Sequence, residues 1–391
     1  MSGNATTLFR EAEQRAARWL AAWDGHGLHR TATAGDDAGA AWLTAEARTL
    51  GASVSIEEFT LDRLDPITAF LEIGGERIEA VPVFDAPPTD SAGVIGRLGP
   101  ADGEGDIAVA ELSARAVYTG EFKRLRRTGT HNGLVVVCSG EAPGLGLINA
   151  EDFRHPYGAP AIHVSSEARD VVFAAAAQHA PARLVAQSRR VPAIGRNLVV
   201  ELPGVEANRP PLVVMTPRSS WWQSASERGG GIVCWLESLH ALLPASPTRP
   251  VVFSANSGHE LGLLGLEDFI ARRPGWDRLR DAGGATWLLY GANIGAAGGA
   301  LSVMSRADDL REVAATELAR VGQPHAVAPR ERVPNGETRD LHRAGAHCLA
   351  INGTNRLYHM PQDRWPDAVD IPAIARIAAA GARLVTVLAL P

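Results

Sequence analysis

Cysteine is scarce in this 391-residue chain: Cys138, Cys234 and Cys348 are all there are. An odd, widely spaced trio makes neither a disulfide framework nor a cysteine-based zinc site, and it fits a reducing compartment. Runs of one charge sign are also missing. The formal net charge is only -6, and the densest basic stretch, Lys123 to Arg127, is short, which argues against a nucleic-acid partner. The first residues, MSGNATTLFREAEQRAARWL, lack a basic start followed by an apolar core, so no signal peptide is expected and the cytoplasm is the expected location. One long apolar segment, residues 371–390, is interrupted by Arg376 and Arg383. Central arginines are costly in a bilayer, so a buried helix is expected there and no membrane partner.

What the chain does have is a core. Hydrophobic residues make up 46% and charged residues 21%, the balance of a soluble globular protein, which excludes disorder, collagen and coiled coil. The 40 glycines and 25 prolines imply many turns and loops, where chemistry tends to reside. The length suits two or three ordinary domains, or one large domain carrying an insertion.

Texture divides the chain. Leu8, Ala12, Ala16, Trp19, Leu20 and Trp23 recur at helical spacing, predicting a helix over 5–26. A second helix is predicted over 37–50, stopped by Gly51, and a strand over 53–61 from the alternation of Val54, Ile56 and Phe59. Between 78 and 192 the texture becomes short strands (VPVF, GVIG, IAVAEL, GLVVVC) set apart by Gly, Pro and Asp, then a strand, a turn that Ser165 or Ser166 could cap, and a helix. From 195 onward apolar strands (NLVVEL, PLVVMT, PVVFSA, TWLLYG, ALSVMS, AHCLAI) alternate with helices. This predicts an α/β fold, a mixed, mostly parallel sheet covered by helices on both faces. The expected domains are a core of 1–78 plus 193–391, interrupted by a smaller β-rich insert over 79–192.

In such sheets the site lies in the loops after the strands. Three of these loops carry Glu227, Glu260 and His359. Two carboxylates and an imidazole, with an open fourth position, are the donor set of a hydrolytic zinc ion, which polarises a carbonyl and acidifies its bound water. His259, beside Glu260, could act as base or extra ligand.

At these residues the sequence resembles the zinc aminopeptidase family that also holds the glutaminyl cyclases. SGHELGLLG resembles that family's acidic-pair loop AEELGLLGS, LYHMPQDRWPDAVDI its closing YHTPxDTxDxID segment, and NLVVELPG the strand that opens its catalytic core. The insert resembles a protease-associated domain. Carried over residue by residue, the resemblance also shows departures. Pro217 stands where the first metal histidine belongs, Ser219 where its supporting aspartate belongs, and Ala292 where the LDMIG aspartate belongs. Glu227 takes the place of the bridging aspartate, through the shared offset to Gly231 and Ile232, and His259 replaces the general-base glutamate. Both ligands private to one zinc are thus lost, and Glu227, Glu260 and His359 keep the ligands of the other. The resemblance therefore implies a hydrolase of an amide or peptide bond in a small peptide or aminoacyl-type substrate, with one zinc. A glutaminyl-cyclase-like cyclase, and a metal-free member that binds a ligand or partner without turnover, both stay open.

Each candidate has a structural alternative. Glu227 could pair with Arg228, Glu260 could serve a helix N-terminus, and His359 could be a core histidine on a backbone carbonyl. On the rewritten loop, Trp221 and Trp222 could wall a substrate pocket or pack on the insert. Arg218 could hold a substrate carboxylate, and Asn293 could face a carbonyl or carboxylate. His342 and His347 are weaker candidates. Gly229 to Gly231 lack the Walker lysine and hydroxyl of a phosphate loop and would instead allow a close backbone approach at a helix start. No Gly-x-Ser-x-Gly elbow is present, which argues against a serine hydrolase. A homodimer contact through the insert is compatible with the resemblance.

Overall fold

A computed structural model describes the backbone of residues 2–390 and the side-chain environment of residues 10–390. The chain opens with α1 (Ser2–Gly25) and α2 (Ala34–Thr49), close to the predicted helices. α1 buries Ala16, Trp19, Leu20 and Trp23 along one stripe, the face that its periodicity marks. β1 (Ser55–Ile73) extends well past the predicted strand, because it pairs antiparallel with the similarly long β7 (Pro181–Leu202) along almost its whole length. This two-stranded ribbon is part of one 13-stranded sheet.

Between β1 and β7, over most of the segment expected as an insert (79–192), lie β2 (Glu76–Pro82), β3 (Val94–Pro100), β4 (Ile107–Ser113), β5 (Gly133–Ser139) and β6 (Ala161–Val164), in the order β2-β6-β5-β4-β3. Two short helices, α3 (Ala116–Thr119) and α4 (Glu121–Thr128), lie between β4 and β5. The sequence reading has no helix there, since α4 (EFKRLRRT) buries only Phe122 and Arg126 and so shows no apolar period. After β6, the Ser165 side chain accepts from the Glu167 N–H, a cap that leads into α5 (Arg169–Ala177).

The core sheet continues from β7 through β9 (Val251–Asn256), β8 (Leu212–Pro217), β10 (Thr286–Tyr290), β13 (His347–Gly353), β11 (Leu301–Ser305) and β12 (Ala326–Val327). β9, β8, β10 and β13 are mutually parallel, while β7 and β11 run antiparallel to their neighbours. Residues alternate between two hydrophobic cores, as a pleated strand requires. Val214, Phe253, Leu288 and Ile351 pack towards α1, α2, α6 (Gly229–Leu242), α8 (Asp308–Arg320) and α10 (Ile371–Ala389). Val213, Val252, Leu289 and Ala350 face α7 (Leu264–Ala271) and α9 (Thr338–Arg343). This is the mixed, mostly parallel, helix-covered sheet expected.

α10 is long and apolar enough to cross a membrane, yet it packs into the core. Asp370 caps it by accepting from the Ala373 N–H. Burying Ile374, Ile377, Leu384 and Val385 contributes about 1.5–3 kcal/mol per side chain. Its Arg383 pairs with Glu317 of α8 at 2.6 Å. Because β9, β8, β10 and β13 are parallel neighbours, their C-terminal ends share one edge, and the four following loops converge there.

Candidate active site

The loop after β9 turns through Gly258, at φ 87°, and presents His259 and Glu260 in a short 3-10 turn. Glu260 is fully buried. Its Oε1 accepts from the Thr31 N–H at 2.7 Å and the Thr31 hydroxyl at 2.6 Å, and its Oε2 accepts from the Ser219 hydroxyl at 2.6 Å. Ser219, at the position of the resembled family's supporting aspartate, is thus a donor to this carboxylate. It also accepts from the His259 N–H at 3.0 Å. Both Glu260 oxygens are spent on the loop between α1 and α2 and on the loop after β8.

The second unit is Glu227, Arg228 and His359, all buried. Arg228 Nη2 lies 2.9 Å from Glu227 Oε1, and Arg228 Nε donates to the Ser219 carbonyl at 2.7 Å. His359 Nε2 is 3.3 Å from the same Glu227 oxygen, and its Nδ1 donates to the Leu147 carbonyl of the insert at 2.7 Å. Burial raises the Glu227 carboxyl's proton affinity, but Arg228 and His359 outweigh it and hold the group well below the usual carboxylate range. Asp363 anchors the loop by accepting from the N–H groups of Ser226 and Glu227 at 2.8 and 2.9 Å. Burial, the largest influence, lifts Asp363 to about 7 against those bonds. Gly230 permits the approach of the next loop: a Cβ there would lie 1.8 Å from the Ile294 carbonyl oxygen.

The third unit is a dyad. His259 Nδ1 donates to Glu337 Oε1 at 2.7 Å, with both side chains almost wholly buried. Burial alone would raise the Glu337 carboxyl, but His259 and Arg228 hold it below its usual range. The other ring nitrogen, His259 Nε2, is buried without a partner. His259 lines two adjoining cavities, one ending at Ala292, Asn293 and Asn352, the other at Asn149 and Leu263. Tyr118 of the insert borders both and hydrogen-bonds Tyr358 at 2.9 Å. Burial raises both phenols, so they remain protonated.

The other candidates fall into place around these units. Arg218 does not face a substrate. It is fully buried, and its guanidinium donates to Asp36 and to the Arg196 carbonyl. Trp221 packs on the insert, 4.6 Å from the Phe84 ring, and donates to Asn149 at 2.8 Å. Trp222 donates to the His359 carbonyl at 2.8 Å and so supports the left-handed backbone of His359, at φ 60°. Neither tryptophan is among the residues lining the two cavities at His259. Asn293 does line the first cavity, and its Oδ1 is buried without a partner. His342 and His347 stand apart from the site: His347 contacts Asp309 and Thr286, and His342 lies on α9. Sequence reasoning missed Glu337 and Tyr118, which come from a loop before α9 and from the insert and carry no local motif.

Zinc needs three protein donors and an open position. His359 has the right support, its Nδ1–H bound to a carbonyl, which frees Nε2 beside Glu227. The third donor fails, because Glu260 is committed to Thr31 and Ser219. A guanidinium already sits on the Glu227 oxygen that a metal would share. Among the described residues, no three His, Cys, Asp or Glu side chains form a metal-binding group. The donor set therefore does not fit the expected zinc ion.

The fold is that of the zinc aminopeptidases. A zinc aminopeptidase from Bacillus subtilis superposes with a TM-score of 0.77 at 17% identity, over 97% of this chain and 95% of that one. A peptidase M28 precursor from Shewanella amazonensis gives 0.73 at 16% identity, over 100% and 98%. A glutaminyl cyclase from Fimbriiglobus ruber gives 0.51 at 12% identity, over 95% of both chains. No family model and no curated protein matches the sequence.

Proposed function

We propose that this chain is a metal-independent hydrolase of a small amide substrate, with His259 as general base and Glu337 as its orienting partner. The observation that carries this reading is the buried His259–Glu337 pair with the free Nε2 at the cavity wall. Glu337 accepts the Nδ1 proton and fixes the tautomer, so the Nε2 lone pair is the base. Nε2 takes a proton from a water, whose oxygen adds to the amide carbonyl carbon. The proton then passes to the leaving nitrogen as the C–N bond breaks, giving a carboxylic acid and an amine. Tyr118 and Tyr358, kept protonated, share one hydrogen bond and so leave one phenol O–H to donate beside the reacting region.

Magnitudes limit the rate. General-base catalysis contributes roughly 10²–10⁴-fold, and a bound metal would have added several kcal/mol of charge stabilisation. At about 1.4 kcal/mol per tenfold, the enzyme is expected to be slow. Turnover of a small amide substrate should be insensitive to chelator and fall at least about 100-fold in His259→Gln. Loss of all turnover on chelation, or full activity in His259→Gln, would refute the reading. The same chemistry suits a cytoplasmic protein, since all three cysteines are unpaired and buried.

A second reading, a ligand-binding protein without turnover, is favoured by one feature. Glu227 and Arg228 neutralise each other, and Glu260 is fully hydrogen-bonded. Saturable ligand binding with no product formed over days would select it.

A further inference from the structure

The wall of the first cavity has a charge and hydrogen-bonding pattern opposite to what a free amino group needs. Arg115 and Arg332 line it, and among the described residues neither is paired with a carboxylate, Arg115 lying instead 5.2 Å from the Tyr358 ring centroid. The one carboxylate on the wall, Glu337, is engaged by His259. Ala292 adds no charge. An ammonium entering here would find no free anion, whereas a carboxylate would find two guanidinium groups, the side chain best shaped to bind it in a bidentate manner.

Deeper in the cavity two polar atoms are buried without partners, Asn293 Oδ1 and Asn352 Nδ2. Unpaired buried polar atoms are expensive, at about 1–3 kcal/mol each, and in a cavity wall they mark where a ligand supplies the missing groups. One is an acceptor and the other a donor. The Asn352 side chain lies close against Gly291, where a Cβ would meet its Oδ1 at 1.8 Å, and its Nδ2 is left without a partner. Asn293 is held by its N–H to the Glu227 carbonyl at 3.0 Å. The complementary ligand has an N–H for Asn293, a carbonyl oxygen for Asn352 and a carboxylate for the arginines.

We infer that the cavity binds N-acylated α-amino acids: Arg115 and Arg332 hold the carboxylate, and Asn293 and Asn352 read the N–H and C=O of the amide. This rests on the reading of the His259 cavity as the substrate site. The ligand is then recognised by its free carboxylate and not by a free amine. Hydrolysis at His259 would then release the acyl group as a carboxylic acid and the free amino acid as the amine.

Calorimetric titration of the full chain separates the possibilities. The probes are N-acetyl-L-leucine, N-acetyl-L-phenylalanine, the uncharged N-acetyl-L-leucinamide, and the cationic L-leucinamide. The two acids should bind, and the two amides should bind at least about tenfold more weakly. Arg332→Gln and Arg115→Gln should each weaken acid binding about tenfold, in keeping with the loss of one charge-assisted bond. Asn352→Ala should weaken the acids and the N-acetyl amide alike. Circular dichroism of each variant controls for folding, and both arginines are on the surface. Binding of L-leucinamide as tight as that of the acids, failure of both acids to bind, or unchanged affinity in both arginine variants overturns the inference. Binding of the acids without turnover, retained in His259→Gln, leaves the ligand class standing and removes only the hydrolase reading.

Discussion

Arg228→Met tests whether a protein cation has taken over the charge of the metal region. The side chain is buried, lies 2.9 Å from Glu227, and donates to the Ser219 carbonyl at 2.7 Å. Methionine keeps the length and removes the charge, so Glu227 stays buried with only His359 and the Ser224 hydroxyl beside it. Breaking a buried pair from one side costs about 3–5 kcal/mol, because the remaining charge is left uncompensated. The lost Ser219 bond adds about 1 kcal/mol. With an unfolding entropy of about 2.1 cal/mol/K per residue, 391 residues give about 0.8 kcal/mol/K, so the combined loss of about 4–6 kcal/mol should lower the melting temperature by about 5–7 °C. The double variant Glu227→Gln with Arg228→Met removes both charges and should recover at least half of that loss, which a double-mutant cycle measures. Zinc adds a second arm. Excess zinc should leave the wild-type melting temperature unchanged, since a ligand stabilises only a fold that binds it. A variant that melts with the wild type, a double variant no better than Arg228→Met, or wild-type protein stabilised by zinc would refute the assignment.

Two further outcomes follow from the same network. Glu337 is held below its usual carboxylate range by His259 and Arg228, so its stabilising contribution is present above the unfolded value of 4.5 and is lost as pH falls through the depressed folded value; Glu337→Gln should flatten the acid limb of a stability-versus-pH curve, and an unchanged limb would count against the pairing. Thr31→Val removes the hydroxyl that donates to Glu260 and accepts from the Gly258 N–H; the urea midpoint should drop by the equivalent of about 1.5–3 kcal/mol, and Thr31→Ser should restore most of it.

Much of this molecule was legible in its sequence, for a physical reason. A strand buried on both faces must be apolar throughout, and a covering helix must carry an apolar stripe, so NLVVEL, PLVVMT, PVVFSA, TWLLY and AHCLAI announce the core sheet and Trp19, Leu20 and Trp23 announce α1. The loops that end those strands were equally readable, because parallel strands place their C-terminal ends on one edge. Glu227, His259, Glu260, His359 and Asn293 all lie there. What those side chains do with one another was not readable. A carboxylate has the same letter whether it waits for a metal or is satisfied by Thr31 and Ser219, and Glu227 looks the same with or without a guanidinium at 2.9 Å. Arg218 shows the same limit: its charge suggested a substrate partner, and Asp36, far away in the chain, claims it. Glu337 and Tyr118 reach the site from the loop before α9 and from the insert. Local pattern thus determined the elements, since periodicity is a property of neighbours in sequence. Only tertiary packing decided the chemistry of the site, since charge neutralisation, desolvation and orphaned hydrogen bonds depend on neighbours in space.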